Sequence, residues 1–264
     1  MDRTALPGGV ELIFADGRAV AEVRLVRPEV RNAQTMATWT SLTQAAEIIA
    51  GRTEVAVVVL SGAGDDFSAG LDLRMMRGTG VAGEGDLGAL LHRDDAEVER
   101  VIAGFQRAFT CWRQLPTIVV AVITGHAIGA GFQLALAADL RVLRDDAVLV
   151  MAEASLGLVP DLGGTRRLVE LVGYARALEI CATAAPVDAD RAERLGLANI
   201  VLASDDFETG LEGYLDTLLA IDPLVTRSVK PLLASATTAG LDEQLATERR
   251  TQLPLLRRIS GSTG

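Results

Sequence analysis

The sequence predicts an α/β fold, and three observations carry that prediction. Short apolar runs alternate with stretches of helical periodicity over the first 200 residues. Two of those runs, Val-Ala-Val-Val-Val-Leu at 55–60 and Ile-Val-Val-Ala-Val-Ile at 118–123, are apolar at every position, and beyond Asp205 the pattern turns wholly helical. Alternating strand and helix builds a parallel sheet with helices packed on it, and a strand with no polar face is one covered on both sides. With 264 residues, 49% hydrophobic and 23% charged, the chain has material for a large core and lacks the composition of disorder.

Taken in order, residues 10–15 and 19–25 read as two short strands about the turn Asp16-Gly17. Thr35 reads as the N-cap of a helix over 36–50. Residues 55–61 and 118–123 form the two covered strands, with a helix over 94–113 between them. A helix over 130–138 and short strands over 140–143 and 148–151 follow. Three helices, 206–220, 222–236 and 241–258, carry apolar residues at helical spacing, which divides the chain into a core over 1–204 and a C-terminal helical, oligomerisation region over 205–264. The glycine-rich, acidic segment 78–88 reads as a mobile surface loop near the site.

Composition removes several functions. A net charge of −10, with Lys230 the only lysine among 25 basic residues, is the opposite of the basic face that nucleic-acid backbones require. Any anionic ligand must be met by arginines, by Lys230 or by backbone amides. Two cysteines and two histidines leave no tetrahedral zinc set and no disulfide framework. No apolar run approaches the roughly 20 residues that cross a bilayer, and residues 1–9 carry no basic-then-apolar signal pattern. The expectation is a cytoplasmic protein without a membrane partner. The literal G-x-G-x-x-G at 78–83 follows helix-like residues rather than a strand, so it is not a dinucleotide fingerprint. His92-Arg93-Asp94 lacks the companion motifs of a kinase, and there is no G-x-S-x-G elbow.

Two glycine-containing turns remain, each between an apolar strand and a helical segment: residues 61–73, Ser-Gly-Ala-Gly-Asp-Asp-Phe-Ser-Ala-Gly-Leu-Asp-Leu, and 124–133, Thr-Gly-His-Ala-Ile-Gly-Ala-Gly-Phe-Gln. Such turns leave backbone N–H groups unpaired at a helix start, where the dipole favours negative charge, so two together can hold one oxygen that becomes anionic. Each taken alone is equally a tight packing turn.

Phe-Ser-Ala-Gly-Leu-Asp-Leu at 67–73, Gly-His-Ala-Ile-Gly-Ala-Gly at 125–131 and the run from Glu153 to Leu168, in that order and spacing, resemble the crotonase, or enoyl-CoA hydratase/isomerase, superfamily; residues 27–33, Arg-Pro-Glu-Val-Arg-Asn-Ala, match its N-terminal segment. The resemblance spans residues 10–257. It implies a spiral of ββα units with a C-terminal helical subdomain, a homotrimer or dimer of trimers, and an acyl-CoA thioester as substrate with no cofactor beyond the coenzyme A it carries. By motif, the amides of Leu71 and Ala130 become the oxyanion hole. Ala69, Gly70 and Leu73 fall on the CoA side, and Arg27, Arg31, Arg74 and Lys230 are candidates for its phosphates. The family's first acid position is Gln133 here and its second is Glu153. Eight residues on, where hydratases usually carry glycine, stands Asp161, as in relatives that isomerise double bonds. The residues after Arg258, Ile-Ser-Gly-Ser-Thr-Gly, do not match the aromatic-and-basic last segment such relatives carry.

The chemistry follows from the thioester. Removing a proton beside it leaves charge on the carbonyl oxygen, which preorganised donors stabilise by about 3–4 kcal/mol each. Glutamine positions but exchanges no proton at neutral pH, whereas Glu153 and Asp161 do; on propensity alone the first is equally a solvated strand-end carboxylate and the second a turn former after Pro160. Three readings stand: a double-bond isomerase, favoured by Asp161 and Gln133; a hydratase in which Asp161 replaces the missing acid; and a non-catalytic acyl-CoA-binding homologue.

Overall fold

The computed structural model describes residues 2–76, 80, 81, 84, 87–90 and 92–261. The chain opens with strands β1 (Asp2–Leu6), β2 (Val10–Phe14) and β3 (Val20–Leu25), which pair antiparallel in sequence order. β1 carries no alternation and lies exposed along the edge, which is why the sequence does not announce it. Helix α1 (Met36–Ala50) begins at Thr35, whose hydroxyl accepts from Thr38 N–H in a capping box. Then come β4 (Val57–Gly62), the short α2 (Leu87–Leu90), α3 (Asp95–Gln114) capped by Asp94, and β5 (Ile118–Ile123). Most of segment 78–88, read as a loop, lies outside the described residues.

β5 runs within three residues into β6 (His126–Ile128) and α4 (Ala130–Ala137); β7 (Leu140–Arg144) runs likewise into β8 (Val148–Val150), followed by α5 (Gly164–Val172), α6 (Tyr174–Thr183), β9 (Val187–Asp188), α7 (Ala189–Leu195) and β10 (Ile200–Leu202). β5 and β7 belong to a seven-stranded sheet ordered β1-β2-β3-β4-β5-β7-β10, whereas β6 and β8 belong to a three-stranded sheet, β6-β8-β9. These two passages of the chain each lay one strand in each sheet and return through a helix, which is the ββα unit of the spiral that the resemblance implies.

The unbroken apolar strands are covered on both faces, as their sequence requires. Val58 and Leu60 of β4 and Val119, Ala121 and Ile123 of β5 join the main core beneath α1, α3 and α4. Val57, Val59, Val120 and Val122 face the other way, onto Phe207 and Leu215 of α8 (Phe207–Leu219). α8 therefore seals the back of the large sheet although it falls in the region after 204. α10 (Leu241–Gly261) packs on α9 (Pro223–Ala236), which touches the core at β5, and the pair leaves Leu233, Leu241 and Ile259 about two-thirds or more exposed.

Candidate active site

The two turns expected to act together are interlocked. Phe67 N–H donates to Thr124 O (2.9 Å), Ser68 N–H to His126 O (2.9 Å) and Ile128 N–H back to Ser68 O (2.9 Å), so 67–68 pairs parallel with β6. Gly70 has φ +83°, and a Cβ there would lie 2.3 Å from Ile128 O and 3.3 Å from Ala130 N; only glycine lets the two segments approach this closely. The neighbouring amides are spoken for: Gly70 N–H by Ser68 Oγ (3.2 Å), Asp72 N–H by Gln34 O (2.9 Å) and Gly129 N–H by Val150 O (2.8 Å). Among the described residues, the N–H groups of Leu71 and Ala130 have no such partner, and both residues line a cavity of about 530 Å³. Ala130 is the first residue of α4, so the helix dipole adds to its donor.

The same cavity is lined by Ala69, Gly70 and Leu73, and by both expected carboxylates, Glu153 and Asp161. Glu153 sits in a 3-10 turn, Ala152–Leu156, directly after β8. Its Oε1 accepts from Gln133 Nε2 at 2.7 Å and its buried Oε2 has no partner, while burial raises its pKa. Burial likewise raises that of Asp161. Gln133 does not line the cavity. It is buried on α4, and its Oε1 accepts from the amides of Leu162 (3.0 Å) and Gly164 (3.2 Å). Those two bonds fix which end of the amide points at Glu153, so Gln133 orients one carboxylate and ties it to the chain beside the other.

The basic residues expected at the CoA phosphates divide. Lys230 is a correction. Its Nζ lies 2.7 Å from Asp139 Oδ2 and donates to Trp112 O and Thr117 O, and burial lowers its pKa, so it pins α9 to the core and is absent from the cavity. Arg27 is also turned inward: it donates to Ala33 O (2.6 Å) and pairs with Asp72 (3.1 Å). Arg74 pairs with the same carboxylate and keeps half its side chain in solvent, and Arg31 does so while forking onto Asp66. Asp72, next to Leu71, is drawn down to about pKa 2, chiefly by its hydrogen bond with Arg74 and then by Arg27, against the opposing effect of burial.

Sequence reasoning passed over the apolar wall and its support. Trp39 on α1 and Val98, Ile102 and Phe105 on α3 line the cavity; at helical spacing they read as ordinary core. Gln34 is wholly buried. It donates to Ser68 Oγ (3.0 Å), accepts from Trp39 Nε1 (2.8 Å), and its backbone holds Gly70 O and Asp72 N–H on either side of Leu71.

Residues 16–258 match the family model described as enoyl-CoA hydratase/isomerase. The chain belongs to that family. A Thermobifida fusca protein crystallised with acetoacetyl-CoA superposes on this enoyl-CoA hydratase/isomerase member with a TM-score of 0.88 at 41% identity, over 95% of this chain and 96% of that one. An enoyl-CoA hydratase from Polaromonas sp. JS666 gives a TM-score of 0.84 at 29% identity, over 97% and 94%. In sequence, the peroxisomal Δ(3,5)-Δ(2,4)-dienoyl-CoA isomerase of Arabidopsis thaliana is 30% identical over 83% of this chain and 78% of its own length. The family thus contains both hydratases and isomerases.

Proposed function

We propose that this family member shifts a double bond in an unsaturated acyl-CoA. The observation that carries the reading is the pairing of Glu153 and Asp161 in one cavity while the third polar position, Gln133, is an amide spent on holding Glu153. Hydration by two acids needs a water gripped between them; here one of those positions has no proton to exchange.

In this reading the thioester oxygen lies between the Leu71 and Ala130 amides. Glu153, made more basic by burial and with Oε2 free of hydrogen bonds, takes a proton from the carbon flanking the double bond. The electron pair moves onto the carbonyl oxygen as an enolate, stabilised where the two donors converge. Asp161, kept protonated more readily by its own burial, returns a proton at the far end of the conjugated system. Proton exchange with solvent resets the two carboxyl groups, so atoms balance and no group beyond the substrate's own coenzyme A takes part. Among the described residues there is no cluster of histidine, cysteine and carboxylate able to hold a metal, and no helix long and apolar enough to cross a membrane. We infer a homotrimer or dimer of trimers, a reading supported by the exposed apolar residues of α9 and α10, and propose the cytoplasm as its location.

The test compares double-bond migration in 3-enoyl- and dienoyl-CoA with hydration of crotonyl-CoA. Migration is expected to be the faster, with Glu153→Gln and Asp161→Asn each losing about 10² to 10⁴ in rate. Efficient crotonyl-CoA hydration together with an indifferent Asp161→Asn overturns the isomerase reading for the hydratase one. Ligand binding without exchange of solvent deuterium into bound acyl-CoA assigns a non-catalytic binder.

A further inference from the structure

Resting on the reading that a CoA thioester enters this site, we propose that the acyl group it selects is a hydrocarbon chain of about eight to ten carbons, without polar substituents at its far end. The size of the cavity comes first. A dry cavity of about 150 Å³ accommodates a six-carbon ring, or ~25 Å³ per carbon. At that scale a four-carbon acyl group fills about a fifth of the 530 Å³ present. Giving half of the space to the thiol end of the CoA arm still leaves room for about ten carbons.

The chemistry of the walls decides what fills it. Apart from Glu153, Asp161 and Ser155, the described lining side chains are apolar. Trp39 brings an N–H, but that donor is consumed by Gln34 Oε1 at 2.8 Å, so the indole offers the cavity only its hydrocarbon surface. Val98, Ile102 and Phe105 are spaced by four and three on α3 and form one stripe along the wall. The ring of Phe105 lies 4.7 Å from Trp39, and Phe109 backs Trp39 at 6.0 Å, so this end is braced by packed aromatics. A hydroxyl or carboxylate placed against this wall would find no polar side chain on it to pair with, which disfavours such substrates. A hydrocarbon gains about fourfold in affinity for each methylene buried.

Calorimetric titration of the wild-type protein with saturated butyryl-, hexanoyl-, octanoyl- and decanoyl-CoA reads this without depending on any reaction. The dissociation constant is expected to fall about fourfold per methylene and by at least 30-fold from butyryl to octanoyl, while suberyl-CoA, with its terminal carboxylate, binds at least tenfold more weakly than octanoyl-CoA. Ile102→Trp, which fills the stripe, should cost decanoyl-CoA at least tenfold more affinity than it costs butyryl-CoA. Dissociation constants that agree within threefold from butyryl to decanoyl overturn the proposal and leave the CoA-thioester reading intact. Phenylacetyl-CoA binding more tightly than octanoyl-CoA overturns it in favour of a ring. Absence of binding at every length overturns both it and the reading on which it rests.

Discussion

Replacing Gly70 by alanine tests the proposed oxyanion hole without substituting either donor residue. The new Cβ would stand 2.3 Å from Ile128 O and 3.2 Å from Ile128 C, at the end of the paired β6, and 3.3 Å from Ala130 N at the start of α4. A carbon approaches a carbonyl oxygen no closer than about 3.3 Å, so the Leu71 segment must move back by about 1 Å. At φ +83° an alanine also costs about 1–2 kcal/mol. A displacement of that size in a catalytic group is worth about 10² in rate, comparable with losing one oxyanion donor. The Gly70→Ala variant should therefore lower kcat about 100-fold. Its affinity for a saturated acyl-CoA, which depends on the apolar wall, should change by less than about tenfold. Initial rates of double-bond migration, followed by the absorbance of the conjugated thioester, give kcat; titration calorimetry gives the affinity; near-ultraviolet circular dichroism verifies the fold. A folded variant turning over within threefold of wild type would refute the placement of the thioester oxygen between Leu71 and Ala130.

Gln133→Glu replaces the donor on Glu153 with a second carboxylate and should raise crotonyl-CoA hydration while spreading the acidic limb of the pH–rate profile over two steps, because neighbouring carboxylates share a proton; a hydration rate no higher than wild type counts against the role given to position 133. Gln34→Met leaves Trp39 Nε1 buried without an acceptor and takes one of its donors from Ser68 Oγ, so urea denaturation should show a loss of about 2–3 kcal/mol and kinetics a fall in kcat larger than the rise in KM. Asp72 has its folded pKa lowered to about 2, so its contribution is complete above the ordinary carboxylate range near 4 and disappears as pH falls toward 2. Across that window the urea midpoint of wild type should drop more steeply than that of Asp72→Asn, and parallel curves would remove the ion pair from the account. Light scattering should return a mass of three or six chains, and a stable monomer at micromolar concentration contradicts the assembly inferred from α9 and α10.

What the sequence reveals here depends on how local the cause is. The start of α1 is legible because Thr35 and Thr38 make both halves of its capping box within four residues, and β4 and β5 because of the unbroken apolar runs at 55–60 and 118–123. β6, β9 and β10 are only two or three residues long, too short for any periodicity to show; they exist because β8 and β7 lie alongside to pair with them. The same divide runs through the site. Leu71, Ala130, Glu153 and Asp161 stand in motifs that can be matched by eye. Lys230 advertises its charge but not its partner, and Asp139, which takes that charge, lies on a remote segment that only the packing of α9 brings close. Trp39 and Phe105 are missed for a different reason: an aromatic at helical spacing looks the same whether it faces the core or a substrate.

The pairing of Ser68 with Ala127 also bears on when this molecule becomes competent during folding. The two donors come from segments some sixty residues apart in the chain, and they meet only after β4 and β5 have paired in parallel across the intervening α3. Closing a loop of that length is entropically uphill until the long-range contacts form, and such contacts are the slow part of folding. An intermediate with native helices but an open β4–β5 register would have its carboxylates and no place for an enolate. Activity should therefore return in refolding with the last, slowest phase, later than the helical signal.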